Sequence, residues 1–464
     1  MTAPEIVKQS GTRSRASWGE AMAVYLQRRV LIVLFLGFSS GLPLALSGST
    51  LLVWMRESGV DLGTIGLFAL VGTPYTLKFL WAPLVDALHV PLLTRLLGRR
   101  RGWLVFAQLL LIAAILLLAL TDPAKSPFYV ALGALLVAAA SATQDTVVDA
   151  FRVESLPENE QAAGMASYVA AYRVGMLVST AGVLFLVSGF EATGLIKSSA
   201  WTSGYFAMAG MVLIGMIAAL AATEPEQSRR AEEATSGEST IKRVTTAAVG
   251  AFTEFLSRKD VWAVLAFVVL YKFTDSFAGT MTAPFVIDLG FTRNDYAAIV
   301  KGVGLAATLI GGFAGGFLAR AWSLEACLWI GGILQAVSNL AFAWLAFIGT
   351  NQWALALAIT AENFTSAIGT VIFVAYLSSL CQSPLHTATQ YALLAALSAV
   401  GRTYLSAGAG YVAQAAGWPT FFVLSVLVAV PSLILLAWLQ RRGHFKALSK
   451  TAPSLNASSA HSTS

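Results

Sequence analysis

The amino-acid sequence predicts an all-α polytopic membrane protein in which twelve transmembrane helices form two six-helix bundles. Hydrophobic residues make up 57% of its 464 residues and charged residues only 12%, whereas soluble domains are about 25% charged. Apolar runs of roughly 20 residues, enough to cross the hydrocarbon core as a helix, recur along the whole chain. Lipid allows only helices and closed barrels to span it, and these runs are too long and continuous for barrel strands. They are therefore predicted to be helices.

Twelve runs are long enough to span, and one polar stretch separates them into two groups of six. This stretch contains EPEQSRRAEEATSGESTIKR, a composition typical of a linker. The predicted spans are 30–52, 62–85, 103–121, 127–151, 162–189, 200–222, 260–287, 294–319, 323–348, 352–380, 387–411 and 418–440. The predicted organisation is a tail over 1–29, a first bundle over 30–222, a linker over 223–259, a second bundle over 260–440 and a disordered tail over 441–464.

Lysine and arginine are distributed unevenly between the two sides of the predicted membrane. Of the 30 basic residues, 21 lie in the two tails and the even-numbered loops, 4 in the odd-numbered loops and 5 inside the spans. Because basic residues favour the cytoplasmic side, both termini are predicted to be cytoplasmic. The formal charge of +6 then reflects topology and does not indicate a nucleic-acid surface.

The two halves of the chain resemble each other weakly. The segment GSTLLVWMRESGVDLGTIG (48–66) can be aligned with GTMTAPFVIDLGFTRNDYA (279–297), and VVDAFRVESLP (147–157) with IFVAYLSSLCQSP (372–384). An arginine follows inside the next span of each half, Arg173 in the fifth and Arg402 in the eleventh. Such six-plus-six repeats are typical of transporters whose two bundles rock about a site at the membrane midplane.

Ten of the ionisable residues that lie within or at the ends of the predicted spans are candidates for a functional role. A charged side chain at the bilayer centre costs about 2.5–3.5 kcal/mol even on a lenient scale, so these groups are expected to face the interior or a watery cavity. The acids are Asp86, Asp145, Asp149, Asp275 and Glu362, and the bases are Lys78, Arg173, Lys272, Lys301 and Arg402.

The stretch ATQDTVVDAF (142–151) places two acids on one face of the fourth span. Asp145 and Asp149 are four residues apart, and Gln144 lies beside them. Two close, buried carboxylates resist double ionisation, which suits a proton carrier. The alternative is a structural ion pair, for example of Asp149 with Arg152 or Arg173.

Two further stretches place acids inside the second bundle. LYKFTDSF (270–277) puts Lys272 and Asp275 on one helix face, where they either neutralise each other or separate, with Asp275 taking a proton and Lys272 binding an anion. TAENFTSAIGT (360–370) contains Glu362 beside Asn363, and Glu362 is a third candidate proton carrier.

The basic residues inside the spans form a candidate anion-binding set. Guanidinium groups suit carboxylates, so a substrate with several carboxylates is plausible, although each base could instead neutralise a nearby acid. The candidates are Arg173, Lys272, Lys301 and Arg402. Nearby aromatic residues, among them Trp81, Tyr172 and Tyr271, could stack on sugar rings or anchor the protein at the interface.

Motifs for catalysis and metal binding are missing from the sequence. It contains no GxSxG, HExxH or CxxC motif, and its four histidines lack metal-ligand spacing. We therefore expect a protein that is not an enzyme and that has neither a metal site nor a cofactor.

Several stretches together resemble the muropeptide permeases, the AmpG family, of the major facilitator superfamily. They are LGFSSGLPLALSGSTLLVWM (36–55), LKFLWAPLVDAL (77–88), GRRRGWL (98–104), SATQDTVVDAFR (141–152), LYKFTDSFAG (270–279), ENFTSAIGTVIFVAYLSSLC (362–381) and TATQYALLAALSAVGRTY (387–404). The resemblance runs from about residue 30 to residue 440.

The resemblance implies proton-driven import of anhydro-muropeptides from periplasm to cytoplasm across the bacterial inner membrane. In that family, transport feeds cell-wall recycling and signals induction of β-lactamase. The resemblance implies that Asp145, Asp149 and Asp275 are essential residues of the transport pathway. By analogy with the superfamily, the first, fourth, seventh and tenth helices should line the cavity. The proton would be the only coupling ion, and a monomer in lipid is expected. Asp86 is a candidate gating residue, although the loop after it lacks the basic residue often found there.

Three other functions remain open from the sequence. A major facilitator permease for another bulky anion, such as acetyl-CoA or a siderophore, would share similar motifs. A membrane enzyme would need acidic or metal-binding clusters in its loops, and the odd-numbered loops are short and nearly free of them. A receptor would bind its ligand without accumulating it.

Overall fold

The computed structural model describes residues 23–81, 85, 88–157, 160–225, 260–380 and 387–451. These residues are almost entirely helical, as predicted. Most of the predicted linker and of the two predicted tails lies outside the described residues, and so does the candidate gating residue Asp86.

Ten helices of the described part are long and apolar enough to cross a membrane. We number the transmembrane helices in chain order, so that these ten correspond to all predicted spans except the second and the eleventh. They are α1 Arg28–Glu57, α3 Arg99–Ala119, α4 Pro127–Ser155, α5 Ala163–Ala192, α6 Lys197–Ala221, α7 Val261–Asp288, α8 Arg293–Ala319, α9 Leu324–Ile348, α10 Gln352–Leu380 and α12 Trp418–Arg441.

The second and eleventh spans are helical but interrupted, which corrects the continuous helices predicted there. The pieces of α2 are Leu62–Leu67, Phe68–Gly72, Thr73–Leu77 and Lys78–Leu80, and those of α11 are Thr387–Thr403, Leu405–Gly408 and Ala409–Ala416. Pro74 opens the third piece of α2, where its missing N–H favours a new helix start. Glycines flank the breaks in α11, and glycine weakens a helix interior.

The two interrupted helices pack against each other and join the halves of the protein. The backbones of Gly66 and Gly410 meet so closely that a Cβ on Gly410 would lie 1.8 Å from the carbonyl oxygen of Leu62. Ten residues further along α2, the hydroxyls of Thr76 and Thr403 are 3.3 Å apart. The α2–α11 contact is therefore one backbone-level connection between the two bundles.

Each half is also held by close helix pairs that only glycine permits. In the first half, α1 lies on α5, and a Cβ on Gly41 would stand 2.1 Å from the carbonyl oxygen of Tyr172. In the second half, α7 lies on α11, and a Cβ on Gly401 would stand 2.5 Å from the carbonyl oxygen of Val269. Small residues at such crossings are typical of membrane helices, which gain van der Waals contact by close approach.

The loops that follow α1 and α7 have the same local geometry. Gly59 and Gly290 both adopt positive φ, at 82° and 91°. Two residues later, Asp61 and Thr292 cap the next helix with their side chains. Hydrogen bonds from Thr64 hold the pKa of the Asp61 carboxyl below its ordinary value. We call the end of the molecule that carries these two loops the odd-loop end.

Aromatic side chains fill the core near the odd-loop end. In the first half Trp54 stacks on Trp201 with ring centroids 5.6 Å apart. In the second half Phe285 packs edge-on against Phe422 at 4.7 Å, and Phe342 completes the group. These buried aromatics fix the positions of the helices that surround the site.

The glycine contact between α1 and α5 yields a test of the fold. Gly41→Ala adds a methyl group 2.1 Å from a backbone oxygen that cannot give way, and such overpacking costs about 1–3 kcal/mol. We expect a lower unfolding temperature in detergent, followed by tryptophan fluorescence.

The matched control is Gly210→Ala in α6, where no atom lies within 4 Å of the added methyl group. There alanine should be neutral or stabilise the helix by up to about 1 kcal/mol. Equal unfolding temperatures for the two variants would contradict the close α1–α5 contact.

Candidate functional site

A cavity of about 600 Å³ lies between the two halves of the protein. Its wall is formed by α1, α2 and α5 from the first half and by α7, α8, α10 and α11 from the second. Among the described residues α4 contributes none to this wall, whereas the superfamily analogy placed it there. Helix α4 packs against α1 and α2, which supply wall residues in its place. Six residues chosen from the sequence line the cavity: Arg173, Asp275, Lys301, Glu362, Asn363 and Arg402.

Asp275 holds a charged network on the α7 wall. Its carboxylate accepts a hydrogen bond from Lys272 Nζ at 2.9 Å and another from the Ser366 hydroxyl at 2.7 Å. Lys272 also donates to the Thr370 hydroxyl at 3.0 Å, which ties α7 to α10. Lys272 forms an ion pair with Asp275 and does not line the cavity. In this arrangement its ammonium group therefore neutralises Asp275 and does not contact a ligand in the cavity.

Glu362 lies on the α10 wall without an ion-pair partner among the described residues. Its carboxylate accepts a hydrogen bond of 2.7 Å from the side-chain amide of Asn363. The Asn363 carbonyl accepts in turn from the Thr308 hydroxyl of α8 at 3.1 Å. The charged groups nearest to Glu362 are Asp275, Lys301 and Lys272. This carboxyl therefore has a neutral hydrogen-bond partner and remains available to the cavity.

Three basic side chains face the cavity from both halves. Arg173 comes from α5 of the first half and Arg402 from α11 of the second, and both lie near Tyr172. Lys301 comes from α8, with its ammonium group 5.3 Å from the centroid of the Tyr296 ring. Among the described residues, none of these three bases forms an ion pair with a carboxylate.

The cavity is therefore cationic on balance. Its wall carries Arg173, Lys301 and Arg402 against the acids Asp275 and Glu362, and Lys272 already neutralises Asp275. The guanidinium groups of Arg173 and Arg402, which come from opposite halves, can each bind a carboxylate with two parallel hydrogen bonds. Such a site can bind a multiply anionic ligand and contact it from both halves at once.

Gln144 and Asp145 lie away from this wall, buried inside the first half. The Gln144 amide donates to the Ser40 hydroxyl of α1 at 3.2 Å. Asp145 lies beside Ser40 and is 9% exposed, with Lys78 and Asp149 as its nearest charged neighbours. The two residues thus belong to a polar cluster behind the cavity wall.

The remaining candidates lie outside the cavity wall. The Asp149 carboxylate is half exposed and 3.7 Å from the guanidinium of Arg152, the ion pair considered from the sequence. Trp81 packs beside a small apolar cluster, and Tyr271 is buried, donating to the carbonyl oxygen of Leu328 at 3.2 Å and stacking on Phe373. Neither Trp81 nor Tyr271 lines the cavity in this arrangement.

Ion pairs that the sequence analysis did not anticipate join the halves at the odd-loop end. Arg56 of α1 binds both carboxylate oxygens of Asp288 of α7, with Nη2 2.8 Å from Oδ2. Arg293 of α8 binds Glu57 of α1 and Glu191 of α5, with distances of 3.0 Å from Nε to Glu57 Oε1 and from Nη1 to Glu191 Oε2. We call these five residues the interhalf ion-pair cluster.

The interhalf ion-pair cluster lies at the odd-loop end, and Arg293 and Glu57 are its most buried members. The Arg293 side chain is only 7% exposed, and its guanidinium also lies over the Trp201 ring, 5.0 Å from the centroid. Lys197 of α6 adds a third cation, with Nζ 3.5 Å from the Glu57 carboxylate. Among the described residues, every ion pair between the halves lies at this end. Four of the five cluster residues lie in the two repeat segments 48–66 and 279–297, namely Arg56, Glu57, Asp288 and Arg293. The internal repeat is therefore the sequence feature from which these ion pairs could have been predicted.

Solved structures of secondary transporters share this fold. A POT family transporter in complex with 5-aminolevulinic acid superimposes with a TM-score of 0.65 at 12% identity, covering 89% of this chain and 96% of that one. A D-xylose-proton symporter gives a TM-score of 0.63 at 13% identity, covering 89% of this chain and 97% of that one. At this level of identity the likeness concerns the fold alone.

Sequence comparisons are more specific. The Major Facilitator Superfamily model matches residues 33–405. The anhydromuropeptide permease of Escherichia coli (strain K12) is 40% identical over 416 residues, which are 89% of this chain and 80% of that protein. The putative transporter AmpG 4 of Rickettsia felis is 33% identical over 419 residues, which are 90% of this chain and 98% of that protein. The chain therefore belongs to the major facilitator superfamily and, within it, to the AmpG-type permeases.

Proposed function

We propose that this protein is a proton-driven secondary transporter that imports anhydro-muropeptides from the periplasm into the cytoplasm for cell-wall recycling. The observation that carries the proposal is the 40% identity, over 89% of the chain, to a protein named anhydromuropeptide permease. The cationic cavity supports it independently, because the stem peptide of a muropeptide carries carboxylates. The fold and the relatives are those of transporters, so the protein is not an enzyme.

The dimensions and chemistry of the cavity suit such a substrate. Its volume of about 600 Å³ lies within the range of ligand pockets, roughly 300–1,000 Å³. Arg173 and Arg402 offer guanidinium groups from opposite halves, and Asn363 and Thr308 offer neutral hydrogen-bonding groups for sugar or peptide. A ligand held by both arginines would contact both halves and couple their movement.

The orientation follows from the distribution of basic residues. The bias of 21 against 4 supports cytoplasmic termini, which places the odd-loop end in the periplasm. The interhalf ion-pair cluster then closes the cavity on the periplasmic side, and the described arrangement corresponds to an inward-facing state. Import requires the cluster to separate while the cytoplasmic side closes, as in alternating access.

Asp275 is the acid best placed to couple protons to the substrate. When it is ionised, Lys272 is held in an ion pair with it. When it takes up a proton, that ion pair is lost and Lys272 becomes free to bind a substrate carboxylate. Glu362 can act on the same wall, and Asp145 and Asp149 are the candidates of the first half. In this scheme the proton is the only coupling ion, and a monomer in the inner membrane is sufficient.

Replacement of Asp275 tests the proton coupling. Asp275→Asn fixes the neutral form, so we expect accumulation of labelled N-acetylglucosaminyl-anhydro-muramyl tripeptide in proteoliposomes to fall at least tenfold under an inward proton gradient. The matched control is Asp122→Asn, which breaks an exposed i,i+3 pair with Lys125 at 3.2 Å and should leave uptake unchanged. Gradient-driven accumulation by Asp275→Asn at the wild-type level would exclude Asp275 from the coupling path.

Replacement of Arg402 tests anion recognition. Arg402→Gln removes a guanidinium from the cavity, so we expect KM for the tripeptide substrate to rise about tenfold, the equivalent of about 1.4 kcal/mol. Arg402→Lys should restore only part of the affinity, because an ammonium group cannot form two parallel hydrogen bonds. Arg441→Gln, at the exposed end of α12, serves as the control. An unchanged KM in Arg402→Gln would exclude Arg402 from anion recognition. Inhibition of uptake by acetyl-CoA or a siderophore but not by unlabelled muropeptide would contradict the proposed substrate.

Replacement of Arg293 tests the periplasmic closure. Arg293→Gln leaves Glu57 and Glu191 without their shared partner, and breaking a buried ion pair in this way costs about 3–5 kcal/mol. Only the state closed at the odd-loop end contains the pair, so the variant should favour the outward-open state. We expect Ser49→Cys, in the cavity wall, to react at least tenfold faster with an impermeant maleimide added from the periplasmic side.

The control for Arg293→Gln is Lys197→Gln, in a background without Cys327 and Cys381. Lys197 also contacts Glu57, but it lies in the first half, so its loss does not disconnect the two halves. Equal labelling rates in the two variants would show that the closure does not depend on Arg293.

A further inference from the structure

A buried polar cluster in the first half lies behind the cavity wall and has unsatisfied hydrogen-bonding groups. Among the described residues, four atoms of this cluster have no partner at hydrogen-bond geometry: Tyr75 Oη of α2, and Ser141 Oγ, Gln144 Oε1 and Asp145 Oδ1 of α4. Ser141 and Gln144 are completely buried, and Asp145 is 91% buried. An unpaired buried polar group costs about 1–3 kcal/mol, so four in one place indicate a common ligand.

The four groups share one neighbourhood. Tyr75 lies beside both Ser141 and Asp145. Ser40 of α1 lies beside Asp145 and accepts a hydrogen bond from Gln144. Because Ser141 and Asp145 are four residues apart, they occupy the same face of α4. Hydroxyl, amide and carboxylate oxygens arranged in this way suit water, which typically makes about three hydrogen bonds in such sites.

Tyr75 connects this cluster to the central cavity. Its side chain contributes to the cavity wall, while its hydroxyl oxygen is buried and lies beside Asp145. The other members of the cluster, Ser141, Gln144 and Asp145, do not line the cavity. Tyr75 is thus the member of the cluster that reaches both environments.

The charged and titratable groups around Asp145 come from three helices. Lys78 and Tyr75 face it from α2, Asp149 lies one turn further along α4, and Tyr168 and Tyr172 face it from α5. Helix α1 contributes the neutral hydroxyl of Ser40. Asp145 therefore has one nearby base to balance its charge when ionised, and neutral hydroxyls to solvate it when protonated.

We propose that this cluster is a hydrated proton site and that the Tyr75 hydroxyl carries the proton between the central cavity and Asp145. When a protonated water from the cavity reaches Tyr75 Oη, it gives its extra proton to this oxygen as the oxygen releases its own proton, through a second water, to the Asp145 carboxylate. The tyrosine is neutral before and after the transfer, and the carboxylate becomes a carboxylic acid. The inference rests on the proposed proton-driven transport, in which Asp145 is a coupling candidate, and assigns Tyr75 a role that substrate binding alone does not require.

The test compares Tyr75→Phe with wild type in two assays of the same proteoliposomes. Tyr75→Phe keeps the ring in the cavity wall and removes only the hydroxyl. We expect gradient-driven accumulation of the labelled tripeptide to fall at least tenfold, while exchange against internal unlabelled substrate, without a gradient, stays within twofold. Tyr205→Phe is the control, since this buried hydroxyl of the same half donates to the Leu46 carbonyl oxygen at 3.1 Å, away from the cluster.

A double-variant cycle shows whether Tyr75 acts through Asp145. If it does, Tyr75→Phe combined with Asp145→Asn accumulates no less than Asp145→Asn alone. Full accumulation by Tyr75→Phe, loss of exchange as well as accumulation, or an additive double variant would each overturn the inference while the proposed function stands. Wild-type protein that exchanges the substrate but ignores the gradient would overturn both.

Discussion

The rest of the structure depends on one constraint, the cost of placing a charged side chain in hydrocarbon. At about 2.5–3.5 kcal/mol per group, the charged residues inside the spans cannot face lipid, and the helices must arrange themselves so that these residues meet. Arg173, Asp275, Lys301, Glu362 and Arg402 accordingly gather around a single cavity, although they come from five different helices. Satisfying that constraint also creates the site: the charges excluded from lipid become the groups available to a ligand.

The same constraint explains why the two halves differ in how they hold their acids. In the second half Asp275 and Glu362 lie on the cavity wall, where Lys272 or Asn363 satisfies them. In the first half Asp145 lies behind the wall, where hydroxyls and Lys78 surround it. An acid on the wall responds directly to a bound ligand, whereas an acid behind it can respond only through an intermediary. The pseudo-symmetric architecture therefore holds two chemically different kinds of acid.

Much of the fold could be predicted from hydropathy, but the packing of individual helices could not. Ten spans were found where apolar runs of sufficient length occur, because length and composition are local properties of the sequence. The breaks in α2 and α11 were missed, since hydropathy reports how well residues suit lipid and not whether the backbone continues unbroken. The absence of α4 from the cavity wall and the burial of Tyr271 depend on helix rotation, which a nearly uniform apolar pattern does not specify.

The site could be predicted in part for a related reason. Arg173, Lys301, Glu362 and Arg402 stand out because a charge in an apolar run is conspicuous, and all four line the cavity. Arg293 and Glu57 did not stand out, because they lie at helix ends where charges are common. Their importance comes from contacts with residues more than 100 positions away, which only the folded chain reveals. Tyr75 was missed because a tyrosine in a membrane helix is unremarkable until its hydroxyl is found beside Asp145.

The chemical nature of the interhalf ion-pair cluster suits a contact that must open and close during alternating access. An apolar seal would expose its surface to water on opening, at about 25 cal/mol for each square ångström. An ion-pair cluster instead exchanges its partners for water, and desolvation already offsets much of the attraction within the pair. The closed and open states can then lie within a few kcal/mol of each other, as alternating access requires. The Trp201 ring beneath the Arg293 guanidinium belongs to the first half and donates a hydrogen bond to Glu57, so Glu57 keeps a partner within its own half when Arg293 moves away.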